Sequence, residues 1–339
     1  MIIFIAAKNG LCVALKRLVF LLPLFSLLFL SACASPPQHP PLSELKAYKT
    51  SGSTALLNRY SPVFIVESPD DSFNLIGTPS ARITIDGEEE IFVDHTAPTI
   101  YSETRNFQTA KDSYTNLHYQ IHFSRVPFSL IPFHIGQGKN VGLITIVTLN
   151  SSNKPVLYTT VHTCGCYIAF VPTSYMPHDA FPNSWIKKQQ SVFGETLPGF
   201  LDYSTFILSD TKLAMLIREG SHRIKDLWLT PSSSLIQYDT AITDMQPITS
   251  LTQLPLEDKR TSFYETHGPR KGYVKGSHKP WERLLMSWWA FDWRIGEDKK
   301  LGRDKGDGVL FYTSLKPWSR EASDLRDFAN FLSYWGWRL

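Results

Sequence analysis

The feature that most constrains the fold is a long stretch, residues 61–171, in which apolar and polar side chains alternate in short runs separated by turn residues. A two-residue period places successive side chains on opposite faces of a strand and is typical of an antiparallel sheet. The pattern predicts strands near residues 62–67, 81–85, 91–93, 99–108, 114–126, 143–149, 155–162 and 167–171. Asp86-Gly87 and Ser151-Ser152-Asn153 are suited to tight turns. We therefore expect an antiparallel meander or sandwich of roughly eight strands.

The rest of the chain predicts few regular elements. Residues 172–204 are rich in Pro, Asn and Ser and predict a long loop, and residues 213–229 predict a hairpin about Gly220-Ser221-His222. Apolar spacing predicts helices over 281–293 and 320–335. The expected fold is α+β and mainly β. It divides into a tether and lead-in over 33–60, a β-rich domain over 61–245, and a basic loop with a helical, aromatic-rich region over 246–339.

The pattern of residues 1–32 predicts a secretory signal. Lys16 and Arg17 precede an apolar run, residues 18–30, which ends in Leu30-Ser31-Ala32-Cys33. A basic start, about a dozen apolar residues and a small-residue cleavage site make a signal peptide, and the run is too short for a stable membrane span.

The four residues Leu30-Ser31-Ala32-Cys33 resemble the lipobox of bacterial lipoproteins. The resemblance implies cleavage after Ala32 and acylation of Cys33 on its sulfur and its new amino group, which anchors the chain in a membrane. Ala34 follows the cysteine where an Asp would favour retention in the inner membrane, so similarity to Gram-negative lipoproteins implies the outer membrane, with the body facing the periplasm. The alternative is an ordinary secreted protein with a chance cysteine. Beyond residue 34 the chain resembles only uncharacterised bacterial lipoproteins, which implies no activity.

The charge of the mature chain argues against nucleic-acid binding. Removal of Lys8, Lys16 and Arg17 from the 34 basic residues leaves 31, equal to the 31 acidic residues. A neutral body lacks the electrostatic footprint of a nucleic-acid-binding protein.

Two sets of side chains with metal-binding chemistry occur on predicted strands. Residues two apart share one face of a strand, so His162, Cys164 and Cys166 should project together, as should His118 and His122. If the two faces meet, up to five N and S ligands converge, a set that suits zinc or copper.

Three other interpretations of these residues remain open. Cys164 and Cys166 are close enough for a disulfide if Gly165 supplies a bend, and such a small ring would be strained and easily reduced. The thiols could instead be inert and buried. His118 and His122 could simply face water on the solvated side of the sheet.

A basic, glycine-rich loop over residues 267–280 precedes the first predicted C-terminal helix. Its fixed positive charges are Arg270, Lys271, Lys275 and Lys279, and it contains no acid. Backbone N–H groups at a helix start attract anions, so one interpretation is a site for phosphate, a lipid headgroup or another anionic envelope component. The other is a solvated, flexible loop, because the spacing is not that of a phosphate-binding loop.

Seven of the nine tryptophans fall after residue 280. Burial of the 281–293 helix against the sheet is the first expectation, and a membrane-interface contact or a partner-binding groove is the alternative. The acids Glu297-Asp298 and those over 304–307 lie among lysines and predict a solvated turn.

The sequence contains no nucleophile elbow, no H-E-x-x-H helix and no C-x-x-C pair. Whether the protein is an enzyme stays open, as do its protein partners. The first functional hypothesis is an outer-membrane-anchored periplasmic lipoprotein with a His/Cys metal-binding or redox site. The second is a non-catalytic envelope module that contacts a protein, lipid or glycan through its aromatic and basic C-terminal third.

Overall fold

A ten-stranded sheet organises the chain. The computed structural model describes residues 39–51, 55–130, 134–304 and 306–339, and the predicted signal segment with Cys33 lies outside these residues. The strands of the ten-stranded sheet are β1 (Leu45–Thr50), β2 (Val63–Glu67), β5 (Thr99–Gln108), β6 (Ser113–Val126), β7 (Gly138–Leu149), β8 (Pro155–His162), β9 (Ala169–Pro172), β12 (Thr211–Ile217), β13 (Ile224–Pro231) and β14 (Asp239–Pro247). Their order across the sheet is β13-β12-β2-β1-β14-β5-β6-β7-β8-β9.

Three small hairpins and three α-helices complete the regular structure of the described residues. The hairpin strands are β3 (Thr78–Ile83) with β4 (Glu89–Asp94), β10 (Gln189–Val192) with β11 (Glu195–Pro198), and β15 (Leu254–Leu256) with β16 (Lys259–Thr261). The helices are α1 (Leu56–Arg59), α2 (Pro280–Ala290) and α3 (Phe328–Tyr334). Short 3₁₀ turns cover Leu42–Glu44, Ser72–Asn74, His178–Ala180, Ser232–Gln237, Ile248–Thr252, Gly268–Arg270 and Pro317–Ser319.

The prediction of a mainly β fold is confirmed, but the large sheet is mixed. Strands β5 to β9 pair antiparallel with their chain neighbours. Strand β14, however, lies parallel between β1 and β5, and β12 lies parallel to β2. Parallel neighbours come from distant parts of the chain, so no hairpin signal in the sequence reveals them. The antiparallel meander or sandwich of roughly eight strands expected from residues 61–171 is therefore not confirmed as the architecture of the large sheet.

The sheet curls around an inner core. On β6, Leu117, Tyr119, Ile121 and Phe123 point into this core, which also takes side chains from both end strands of the sheet. Contacts cross the interior directly: Thr145 Oγ1 of β7 lies 3.6 Å from Met215 Sδ of β12. Alternation of side chains along each strand lets the same strands support a second core on their outer face.

The C-terminal region covers part of the outer face. Phe311, Leu325, Phe331 and Trp337 pack there against Ile144 and Ile146 of β7. Residues 39–339 form one compact unit.

Several predicted boundaries differ from those in the structure. The helix expected over 320–335 is regular only at Phe328–Tyr334, and the loop expected over 172–204 contains the β10–β11 hairpin. None of the helices in the described residues is long and apolar enough to span a membrane.

Candidate functional site

Cys164 and Cys166 form a disulfide in the turn that follows β8. Their Cα atoms are 5.5 Å apart, and Gly165 between them has φ +87°, in the left-handed region that favours glycine. Glycine therefore supplies the expected bend. Cys164 is 3% exposed, whereas Cys166 is half-buried. The structure thus contains the disulfide alternative, with one half of it open to solvent.

Backbone hydrogen bonds fix this turn. The N–H of Gly165 donates to the carbonyl of His162 at 2.8 Å, and the N–H of His162 donates to the carbonyl of Cys166 at 2.9 Å. Thr163 N–H donates to the carbonyl of Gly142 on β7. Because these bonds hold the turn independently of sulfur chemistry, the disulfide adds little order to it.

The size of the disulfide ring leads to the same conclusion. On the chain-entropy account, a bridge that closes three residues stabilises a fold by about 1.5 kcal/mol, half of the roughly 3 kcal/mol for a 15-residue loop. Stabilisation is thus a weak physical reason for this bridge.

A buried lysine lies directly on the turn. The backbone N–H of Lys299 donates to the carbonyl of Thr163 at 3.0 Å. Its Nζ is 4.0 Å from the position that a Cβ atom on Gly165 would occupy. Nζ also lies 3.8 Å from the centroid of the Tyr312 ring, and no carboxylate of the described residues is within 4.0 Å of it. Burial lowers the pKa of Lys299 to about 8.

A buried ion pair lies beside this lysine. Lys279 Nζ is 3.1 Å from Asp298 Oδ2, with both side chains at most 3% exposed, and Thr163 Oγ1 donates to Asp298 Oδ1. Burial acts to lower the pKa of Lys279, but Asp298 and Glu282 outweigh it, and the pKa is raised. Burial raises the pKa of Glu282.

The acids at 297–298 were expected in a solvated turn, and that expectation is wrong, since Glu297 and Asp298 are both buried. No pattern in the sequence singles out Lys299 as a site residue. Its burial depends on Tyr312 and Gly165, which are distant in the chain, so only the tertiary structure identifies it.

The five predicted metal ligands do not converge. In the strand register His162 pairs with Leu143 of β7, whose side chain points into the inner core, while His118 pairs with Ile146, which points to the outer core. His118 and His122 therefore lie on the outer face of the sheet, whereas His162 lies on the inner face. In the described part of the chain, no three His, Cys, Asp or Glu side chains are grouped to hold a metal. A zinc or copper site here stays a prediction, and it would first require the disulfide to be reduced.

The histidines are buried rather than solvated. His118 and His122 are 1% and 0% exposed, because the C-terminal region covers their face of the sheet. His162 Nε2 donates to the carbonyl of His222 at 3.0 Å, and His222 stacks on Phe123 with ring centroids 4.0 Å apart. Burial lowers the pKa of all four imidazoles, to about 3 for His122 and His222.

The basic loop is folded, and most of its charges are neutralised. Arg270 pairs with Glu297, Lys275 pairs with Glu89 at 2.6 Å, and Lys279 pairs with Asp298. Of the four predicted anion-binding residues, Lys271 alone has no ion pair with another described residue. A flexible, solvated loop is therefore wrong for this segment, and its first role is to bind the protein's own carboxylates.

Helix α2 has its apolar side turned outward. Glu282, Ser287 and Ala290 face the protein, while Trp288 is 73%, Phe291 78% and Trp293 65% exposed. We call the exposed set the aromatic surface: Leu284, Leu285, Trp288, Trp289, Phe291 and Trp293. The expected burial of this helix against the sheet is wrong, because its apolar face points to solvent while its polar and small residues face the protein.

The cause of this helix orientation is a cluster of buried charged side chains: Lys279, Glu282, Asp298 and Lys299. Glu282 lies against Gly296, where a Cβ atom would be 1.3 Å from Glu282 Oε2, and it interacts electrostatically with Lys279 and Lys299. Burying one carboxylate beside two lysines fixes the helix rotation and leaves its apolar face without a cover.

The disulfide turn and the aromatic surface lie at the same end of the sheet. Thr163 pairs with Gly142 near the start of β7, and Lys279 at the start of α2 contacts Gly138 at the first residue of that strand.

Comparison with protein-family models, with curated proteins and with solved structures gives no match.

Proposed function

We propose that the protein is a lipid-anchored component of the bacterial outer membrane that contacts the lipid surface with its aromatic surface. Acyl chains on Cys33 would supply the anchor. The observation that carries the proposal is the outward-facing apolar side of helix α2. It exposes four apolar side chains on successive turns of the helix, and two more aromatic rings are exposed just after the helix ends.

The composition of the aromatic surface favours lipid. Trp and Phe rings settle at the boundary between headgroups and acyl chains. A contiguous apolar patch of this kind is rare on a protein that stays free in water. Arg283 and Arg294 flank the patch through contacts with the rings of Trp293 and Tyr273, and neither forms an ion pair with a described residue. They are placed to meet anionic headgroups.

The place where the chain leaves the folded body suits an anchored protein whose aromatic surface faces the lipid. Five residues lie between Cys33 and His39, so the six residue steps of an extended tether would reach about 20 Å. His39 Nε2 lies 2.6 Å from Asp226 Oδ2 near the start of β13. The β12–β13 turn lies next to the β6–β7 loop, where Gly220 is close to Pro127. Phe128 in that loop stacks on Trp281 of α2. The chain therefore leaves the body near the end that carries the aromatic surface.

The test is vesicle binding by the full mature chain with Cys33→Ser, which has no acyl group. Vesicles of phosphatidylethanolamine and phosphatidylglycerol should co-float with the protein, and brominated lipid should quench its tryptophan fluorescence. The combined change Trp288→Ser and Phe291→Ser should reduce binding at least tenfold.

Ile236→Ser is the matched control, because Ile236 is even more exposed than Trp288 and Phe291 but lies outside the aromatic surface, and it should bind like the parent. Equal binding by all variants, or no binding by the parent, contradicts lipid contact. Concentration-dependent dimers that the Trp288→Ser, Phe291→Ser variant does not form would instead identify a second copy of the chain as the occupant.

A further inference from the structure

We infer that Cys164 and Cys166 form a thiol–disulfide exchange site in which the ammonium group of Lys299 stabilises the thiolate released on reduction. This inference is independent of lipid contact, because it concerns the turn after β8 and not the aromatic surface.

The first support is the asymmetry of access to the two sulfurs. Residue Cys166 is partly exposed, whereas residue Cys164 is 3% exposed, so of the two residues Cys166 is the one that a small dithiol reaches from solvent. Exchange begins with attack of a thiolate on an accessible sulfur, and the other sulfur leaves. The structure therefore assigns Cys166 as the attacked sulfur and Cys164 as the leaving group.

The second support is the position of a positive charge. Lys299 Nζ is 4.0 Å from the Cβ position of Gly165, the residue between the two cysteines. Nζ thus lies beside the residue that joins the two cysteines, and a nearby cation favours the thiolate form of a cysteine, which is the better leaving group. No carboxylate of the described residues forms a direct ion pair with Lys299, and Asp292, Asp298 and Glu282 act on it only at longer range, so its charge can interact with a thiolate.

The third support is that Lys299 and the turn are held together. Lys299 N–H bonds to the carbonyl of Thr163, and the side chain of Thr163 bonds to Asp298, the neighbour of Lys299. These bonds hold the backbone of Lys299 on the turn, and the Lys299 side chain is buried with Nζ over the Tyr312 ring, so the charge is already in place when the thiolate forms. The ionisable groups that face Lys299 are Asp292, Asp298, Glu282, Arg320, Lys279 and Tyr312.

The reaction balances with an external dithiol as reductant. One thiolate of the dithiol attacks Cys166 Sγ, the Cys164–Cys166 bond breaks, and its electron pair leaves on Cys164 as a thiolate. The second thiol of the dithiol then attacks its own sulfur in the mixed disulfide and releases Cys166. Two electrons and two protons pass to the protein, and the dithiol becomes a cyclic disulfide.

The experiment measures reduction of the native full chain by dithiothreitol, with thiols trapped by iodoacetamide and counted by mass. Reduction should proceed without denaturant. Lys299→Met should slow it at least tenfold and should raise the pH at which thiolate absorbance at 240 nm appears. Lys299→Arg should stay within threefold of native, because the charge is retained.

Lys300→Met is the matched control, since Lys300 is the next residue and pairs with Asp307, and it should react like the native chain. In a separate test, Cys164→Ser should form a mixed disulfide with glutathione disulfide at Cys166 faster than Cys166→Ser does at Cys164. Reduction only in denaturant, an unchanged rate in folded Lys299→Met, or equal mixed-disulfide formation by the two cysteine variants would overturn the inference.

Discussion

The backbone N–H of Lys299 donates a hydrogen bond to the carbonyl of Thr163, the residue before Cys164. This bond joins the C-terminal region to the end of β8 and places a buried ammonium on the disulfide turn. The same segment carries Asp298, which receives the side-chain hydrogen bond of Thr163 and pairs with Lys279. One short stretch thus fixes the turn, the basic loop and the rotation of α2.

Lys279→Met should strongly destabilise the protein. It leaves the carboxylate of Asp298 buried without its cation, a change that typically costs about 3–5 kcal/mol of unfolding free energy. Chemical denaturation measures the loss. Lys111→Met is the control, because Lys111 pairs with Asp179 at the exposed surface, and its midpoint should not move measurably. A small effect of Lys279→Met would show that water reaches Asp298.

Gly165→Ala should be more damaging than Gly194→Ala. Both glycines have φ +87°, so each substitution incurs the left-handed penalty of about 1–2 kcal/mol. At Gly165 the new Cβ would also lie 2.2 Å from the carbonyl oxygen of Tyr312, whereas nothing lies within 4 Å at Gly194. We expect the clash to add about 1–3 kcal/mol or more. Thermal unfolding of the two variants measures the difference, and equal losses would contradict the close packing of the turn.

The buried histidines should make the fold sensitive to acid. Burial depresses their pKa in the folded state, to about 3 for His122 and His222, while an unfolded histidine titrates near pH 6.5. Between these values the unfolded chain binds more protons, so stability is complete above about pH 6.5 and falls as pH decreases toward 3. Each such histidine contributes a slope of about 1.4 kcal/mol per pH unit.

Denaturant midpoints measured from pH 7 to pH 4 test this expectation. His122→Gln should lower the slope of unfolding free energy against pH by the contribution of one histidine. Exposed His267→Gln should leave it unchanged. Identical slopes for His122→Gln and the native chain would mean that His122 is protonated in the folded state.

Cys33→Ser should shift the protein from the membrane fraction toward the soluble fraction in cells, because the acyl acceptor is lost. The aromatic surface should keep a minor part of the Cys33→Ser protein in the membrane fraction. Adding Trp288→Ser and Phe291→Ser should move that part to the soluble fraction. Cell fractionation with immunoblotting measures the distribution. If Cys33→Ser fractionates like the native chain even with both aromatic changes, the lipobox interpretation is wrong.

Local patterns predicted the local elements well. The antiparallel strands β5 and β8 occupy residues 99–108 and 155–162, as the alternation indicates. The turn at Asn153 is confirmed by its hydrogen bond to the carbonyl of Asn150. The parallel strands β1 and β14 were missed because their pairing joins segments almost two hundred residues apart, which leaves no local signal.

The sequence by itself determined the alternating strands, the placement of a glycine between Cys164 and Cys166, and the aromatic richness of residues 281–293. Only the tertiary structure decided which faces are covered. It put His118 and His162 on opposite faces of one sheet, paired the basic loop with the protein's own carboxylates, and turned α2 outward by burying Glu282. The physical reason is that periodicity tells which side chains share a face, whereas burial and ion pairing depend on segments that only the folded chain brings together.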